Sequence, residues 1–182
     1  EQFYELKFEH NNVPVEGSES KGIYLTGNNH SDDLFMYIYK NIGQDLNLEK
    51  NTTYEMDIRF SLATNVPAGM AGIGGSPGES VYVKAGVIGQ EPSATEDDNG
   101  YLRMNFDKGN QGSEGKELAT LGTISKDDGS EDTSYAFKEF STTVTVETDD
   151  EGNAYLVIGT DSGFEGLSFI YIDDIMINYS VK

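Results

Sequence analysis

The densest polar grouping in this 182-residue chain is Asn28-Asn29-His30-Ser31-Asp32-Asp33, set just ahead of the apolar run Leu34-Phe35-Met36-Tyr37-Ile38-Tyr39. An imidazole within three positions of two carboxylates suits two kinds of chemistry. His30 with Asp32 or Asp33 can act as an acid–base pair. The same side chains, with Asn29 adding an amide oxygen, can ligate a divalent cation. A catalytic zinc needs a third protein ligand, and the other histidine, His10, lies near the N-terminus. These residue types also make a solvated turn leading into a strand, so turn and site both stand as readings.

The stretch from Gly72 to Gly86, GIGGSPGESVYVKAG, offers a nucleophile. Gly74-Gly75-Ser76-Pro77-Gly78 has the form G-x-S-x-G, the elbow that presents a serine between a strand and a helix. Three features exclude it. The residue after that serine donates a backbone N–H to the oxyanion hole, and Pro77 has none. A β-branched run comes next instead of a helix, and both histidines precede Ser76. A phosphate loop is excluded as well, because Lys84 is several residues away and within a strand-forming run rather than directly before a hydroxyl residue at a helix start. The reading that remains is a shaped glycine loop feeding a strand, with Ser76, Glu79 and Lys84 able to face a ligand.

Sugar binding has its own requirement: aromatic faces against pyranose C–H groups, with amides and carboxylates for the hydroxyls. Tyr37, Tyr39, Tyr82 and Tyr101 lie in or beside strand-like segments, and Asn105, Asp107, Asn110 and Gln111 form a polar run. Tryptophan is absent. With 32 acidic residues, no carboxylate pair for glycoside hydrolysis stands out from the rest.

The elements that position these residues read as strands. Segments 2–9, 22–27, 34–41, 53–63, 80–88, 101–106, 136–147, 154–160 and 168–181 are rich in Val, Ile, Tyr, Phe and Thr. In 53–63, Tyr54, Met56, Ile58, Phe60 and Leu62 alternate with Glu55, Asp57, Arg59 and Ser61, the period of a half-buried strand. Clusters of Gly, Asn, Asp and Ser separate the segments, and 41–51 suits one short helical turn. Nine or ten strands in a chain of this length predict an all-β, two-sheet antiparallel β-sandwich of jelly-roll type, spanning 1–182 as one domain.

Composition limits the partners. A formal net charge of -20 repels nucleic acid and anionic membrane. The absence of cysteine excludes thiol catalysis, disulfides and thiolate metal sites. No apolar run approaches the ~20 residues of a membrane-spanning helix. The chain opens without an initiator Met or an apolar leader, and it is read as an exported protein whose signal has been removed.

Two segments carry a family resemblance. LNLEKNTTYEMDIRFSLAT (46–64) resembles the middle of galactose-binding-like jelly-roll modules of the carbohydrate-binding type. AFKEFSTTVTVETDDEGNAYLVIGT (136–160) followed by FIYIDDIMI (169–177) resembles their closing strands. The resemblance implies the jelly roll and a carbohydrate ligand. It also implies a structural calcium ion held by carboxylates near both chain ends, here Glu9, Asp173 and Asp174. Strict alternation independently puts one of Asp173 and Asp174 on the inward face, where it needs a metal or hydrogen bonds. Segments 22–40, 60–69, 72–86 and 101–112 also resemble a group of exported bacterial proteins, often lipoproteins, which implies no activity.

The sequence is therefore read as an exported, non-catalytic ligand-binding module for carbohydrate, with a structural calcium site. Its ligand residues are expected among Asn29, His30, Asp32, Asp33, Glu79, Lys84, Asn105, Asp107, Asn110 and Gln111. Two alternatives stand beside it: a surface or envelope protein acting through protein contacts, and a metal-dependent hydrolase centred on His30, Asp32 and Asp33.

Overall fold

A computed structural model of the chain describes residues 3–31, 33–127 and 131–182. Its strands, in chain order, are β1 (Lys7–Asn12), β2 (Lys21–Asn28), β3 (Leu34–Asn41), β4 (Thr53–Thr64), β5 (Val81–Ile88), β6 (Ala94–Glu96), β7 (Leu102–Met104), β8 (Ala119–Thr123), β9 (Ala136–Glu147), β10 (Tyr155–Ser162) and β11 (Leu167–Val181). A five-stranded sheet has the order β1-β2-β11-β4-β9, and a four-stranded sheet has the order β3-β10-β5-β8. Every ladder between named strands is antiparallel. Successive strands from β2 to β5 and from β8 to β11 alternate between the two sheets, as the jelly-roll expectation requires.

The period-two pattern decides which faces meet. Tyr54, Met56, Ile58, Phe60 and Leu62 of β4 point inward and are all buried. Across the gap they meet Met36 of β3, Val81, Val83, Ala85 and Val87 of β5, and Leu156 and Ile158 of β10. Burial of this apolar surface, worth roughly 25 cal/mol per Å2, closes the two sheets on one another.

A second, smaller core lies outside the sandwich. Residues 89–118 leave β5, form the β6–β7 hairpin, and return over the outer face of the four-stranded sheet before β8. Phe106 and Leu118 from this segment bury Ile88 and Val157 of the sheet, with Phe35, Tyr37, Met104 and Tyr155 packed around them. Gly86 permits the close approach. A β-carbon there would meet a Leu118 methyl at 2.8 Å and the Glu117 carbonyl oxygen.

The strand expectations need three corrections. In the stretch expected as a strand from residue 2, Phe3–Glu5 form a turn in which Glu5 has φ +53, and pairing begins at Lys7. β6 and β8 fall outside the expected strands; both are short and have no fully buried face. Finally, β11 breaks its alternation with a register shift between Asp173 and Met176, where Asp174 has φ +49.

Candidate ligand-binding face

The outer face of the four-stranded sheet can be read row by row from its register. Phe35, Asp161 and Tyr82 form one row, then Tyr37, Gly159 and Lys84, then Tyr39, Val157 and Gly86, then Asn41, Tyr155 and Ile88. The 89–118 segment covers the β5 side and leaves the β3 edge open. There the rings run in series: Phe35 stacks on Tyr37 with centroids 5.0 Å apart, Tyr37 lies 6.2 Å from Tyr39, and Tyr39 lies 6.4 Å from Tyr155. Phe106 meets both Phe35 and Tyr37 edge-on from behind. Tyr39 is the most open of the series, at 47% exposed. Its hydroxyl donates to Glu91 Oε1 at 3.2 Å. Asn105 fastens the same corner, donating from Nδ2 to the Glu91 carbonyl and accepting the Ser93 N–H.

One end of this strip carries a compact ionic cluster. The Lys108 ammonium lies 2.6 Å from Asp161 Oδ2 and 3.5 Å from Asp33 Oδ2, and it sits 5.2 Å from the centre of the Phe35 ring. The Gln111 N–H donates to Asp161 Oδ2 at 2.8 Å. Lys84 is fully buried and donates to the Ser113 carbonyl at 2.6 Å and to Thr120 Oγ1 at 2.7 Å. Burial pushes the Lys84 ammonium down and the Asp33 carboxyl up to about 6; the Asp161 charge adds to the rise at Asp33. The second oxygens of Asp33 and Asp161 are buried without a hydrogen-bond partner. The cluster thus fastens the 107–115 loop to the sheet, and Asp33 stands where the fastening meets the aromatic strip.

Of the expected ligand residues, Asp33, Lys84 and Gln111 come together here. Asp161, Lys108 and Tyr155 complete the face and are not among the expected residues. Asn105 stands at the Tyr39 corner of the strip, and the other expected residues that the structure describes are engaged elsewhere. Asn29 is buried and donates to the carbonyls of Ser162 and Phe164, fixing its loop. His30 lies 3.5 Å from Glu5 and packs its ring against Phe3, while Asp33 turns to Lys108. His30 and Asp33 are therefore not paired with one another. Asp32 lies outside the described residues. Asp107 accepts the N–H groups of Gly109 and Lys116, which hold its carboxyl below the usual range and close the loop on itself. Asn110 is exposed, and its carbonyl accepts the Ser113 N–H. Gly112 lies against the Tyr82 ring, and Tyr101 lies under Arg103 in the hairpin turn, so neither tyrosine joins the strip.

The glycine loop is structural. The Ser76 hydroxyl donates to Glu79 in a short bond and accepts the N–H groups of Gly78 and Glu79, which caps a single helical turn. The same bond from Ser76 holds the Glu79 carboxyl below its ordinary range. Gly74, at φ +71, packs its backbone against Gly163 and Glu165 of the β10–β11 turn.

The implied calcium ligands do not converge. Glu9 accepts a hydrogen bond from Asn11 and stands two strands from Asp173, with β2 between them. Asp173 faces outward opposite Ser61, and its Oδ1 accepts the Asp174 N–H while Oδ2 is buried without a partner. The register shift turns Asp174 into solvent, so neither aspartate of the pair enters the core. Among the described residues no group of three or more His, Asp or Glu side chains gathers to hold a metal. A lone unpaired carboxylate oxygen falls well short of the 6–8 oxygens calcium takes, so these three residues do not fit that ion.

A groove of about 420 Å3 lies elsewhere, between β9 and the 114–119 segment. Thr143, Thr145, Glu114 and Glu117 line it, and it contains no aromatic ring. No helix of the described residues is long and apolar enough to cross a membrane.

No family model and no curated protein matches this sequence. Among solved structures, the chain is similar to a family 16 carbohydrate-binding module, at 15% identity over 96% of this chain and 86% of that one, with a TM-score of 0.37. It is similar to the CBM22-1 xylan-binding domain from Paenibacillus barcinonensis, at 12% identity over 96% and 81%, with a TM-score of 0.40. It is also similar to TmCBM27, a carbohydrate-binding module with specific mannan recognition, at 14% identity over 97% and 84%, with a TM-score of 0.36. These neighbours are carbohydrate-binding modules of β-sandwich type, and the likeness is one of fold.

Proposed function

We propose that this protein binds carbohydrate, laying a glycan along the β3 edge of the four-stranded sheet. The observation that carries this reading is the continuous series of half-open rings, Tyr37, Tyr39 and Tyr155, at one edge of an otherwise covered face. Ring faces of this kind take the C–H faces of pyranoses, and the flanking carboxylates and amides take hydroxyls. The platform is fixed before any ligand arrives. Phe35 and Phe106 hold Tyr37 from behind, and Glu91 holds the Tyr39 hydroxyl. A rigid platform loses little side-chain entropy on binding.

The test is binding to a panel of soluble polysaccharides by gel retardation and calorimetry, using the wild type, Tyr39→Ala and Tyr155→Ala. Each ring is expected to contribute about 0.5–1.5 kcal/mol, a several-fold loss of affinity per variant with unfolding unchanged. Binding that survives both substitutions, or no binding to any polysaccharide, overturns the reading.

A further inference from the structure

The strip has two unlike ends. At the Asp33 end an ammonium, Lys108, stands between two carboxylates. The Tyr155 end differs. Glu91 is tied to the Tyr39 hydroxyl at the ring edge. Burial raises the pKa of the half-buried Tyr155 phenol, and the charges of Glu91, Asp149 and Glu151 add to the rise. The nearest basic side chain on β3, Lys40, is already paired with Asp45 at 2.5 Å. Glu91 and Glu151 make no ion pair among the described residues.

Two adjacent phenol rings, with the Glu91 carboxylate at the edge of one and no ion pair to Glu91 among the described residues, form a receptor for positive charge. The ring quadrupole attracts a cation over its face, and the carboxylates add Coulomb attraction and hydrogen-bond acceptors. The same field opposes a uronate or a sulfated sugar. Resting on the carbohydrate reading, we infer that the Tyr39–Tyr155–Glu91 end selects a glycan carrying free, protonated amino groups. The ligand class is an oligosaccharide of glucosamine type, preferred over its N-acetylated and neutral counterparts. The sugar's C–H face stacks on Tyr39, and an ammonium group stands within reach of Glu91.

The experiment compares three short oligosaccharides of equal length at mildly acidic pH: glucosamine, N-acetylglucosamine and glucose oligomers with the same linkage. Calorimetry would be run on the wild type, Glu91→Gln, Tyr39→Ala and Glu55→Gln. The last variant removes the same charge from β4 of the other sheet, which separates a built site from general attraction to an acidic protein. The expected result is about tenfold tighter binding of the glucosamine oligomer, a preference lost in Glu91→Gln and Tyr39→Ala and kept in Glu55→Gln. Equal binding of all three oligomers would overturn the amine preference and leave the carbohydrate reading standing. Binding of none overturns both. A preference that persists in Glu91→Gln and Tyr39→Ala belongs to the surface charge at large and also overturns the inference.

Discussion

Tyr37 approaches Gly159, its partner across the β3–β10 ladder, so closely that a β-carbon on the glycine would lie 2.7 Å from that of the tyrosine. The same β-carbon would also strike the Met36 carbonyl. Gly159→Ala is therefore expected to cost about 1–3 kcal/mol and to push Tyr37 out of line with Tyr39. Denaturant unfolding together with glycan binding checks this. Unchanged stability would mean that the strand yields without cost and that the glycine does not set the platform.

Asp33 titrates at about 6 in the folded protein, against an ordinary 3.8, because burial and the Asp161 charge both oppose its ionisation. A raised carboxyl pKa means that the folded state holds the proton more tightly than the unfolded chain. The contribution of Asp33 to stability is thus highest at low pH and falls as pH rises from about 4 to about 6. Asp33→Asn lacks that fall. The stability of the variant minus that of the wild type should be level below the window, climb through it in the variant's favour, and level off above it. A flat difference in urea titrations across this range would count against the assignment.

Asp161 is fully buried and holds both Lys108 and the Gln111 N–H. Asp161→Asn keeps the shape and removes the charge, leaving the part-buried ammonium of Lys108 with the more distant Asp33 alone. Breaking such a pair is expected to cost about 3 kcal/mol. Limited proteolysis should then cut first between 107 and 115, because that loop is what the pair secures. First cleavage elsewhere would disconnect the loop from the cluster.

Ser76 caps one turn. Ser76→Ala should cost about 1 kcal/mol, the usual worth of a cap, and leave glycan binding as it was. Thermal unfolding and calorimetry read the two effects separately; lost binding at full stability would return Ser76 to the ligand site.

How far these features are legible in the sequence depends on whether the signal is local. β3 and β9 keep their predicted bounds because each is an unbroken run of strand formers between turn residues. The start of β1 does not show. Phe3-Tyr4-Glu5-Leu6 is as strand-like as Lys7-Phe8-Glu9, and only the left-handed conformation at Glu5 interrupts it. In the site, Asp33, Lys84 and Gln111 are accessible as polar residues beside glycine-rich loops. Asp161 is not, since Thr160-Asp161-Ser162-Gly163 reads as a turn although Asp161 belongs to β10. Its partner Lys108 is 53 positions away, a distance that no periodicity spans. Tyr155 reads as a strand residue, but its ring can be placed beside Tyr39 only once β10 is known to pair with β3. The placement of the implied calcium residues is hidden for a related reason: adjacency of Asp173 and Asp174 in the chain says nothing of the register shift that leaves Asp174 in solvent.

The segment from Gly89 to Leu118 leaves one strand and re-enters the neighbouring strand of the same sheet, so the sandwich closes whatever this segment carries. Its attachments include Phe106, Met104 and Leu118 in the small core, Lys108, Gln111 and Ser113 at the ionic cluster, and Glu91 at the Tyr39 hydroxyl. It can be treated as an interchangeable part. Segments that keep those anchor points could be grafted here from a library to vary the rim of the proposed glycan strip without altering the register of the strands beneath it.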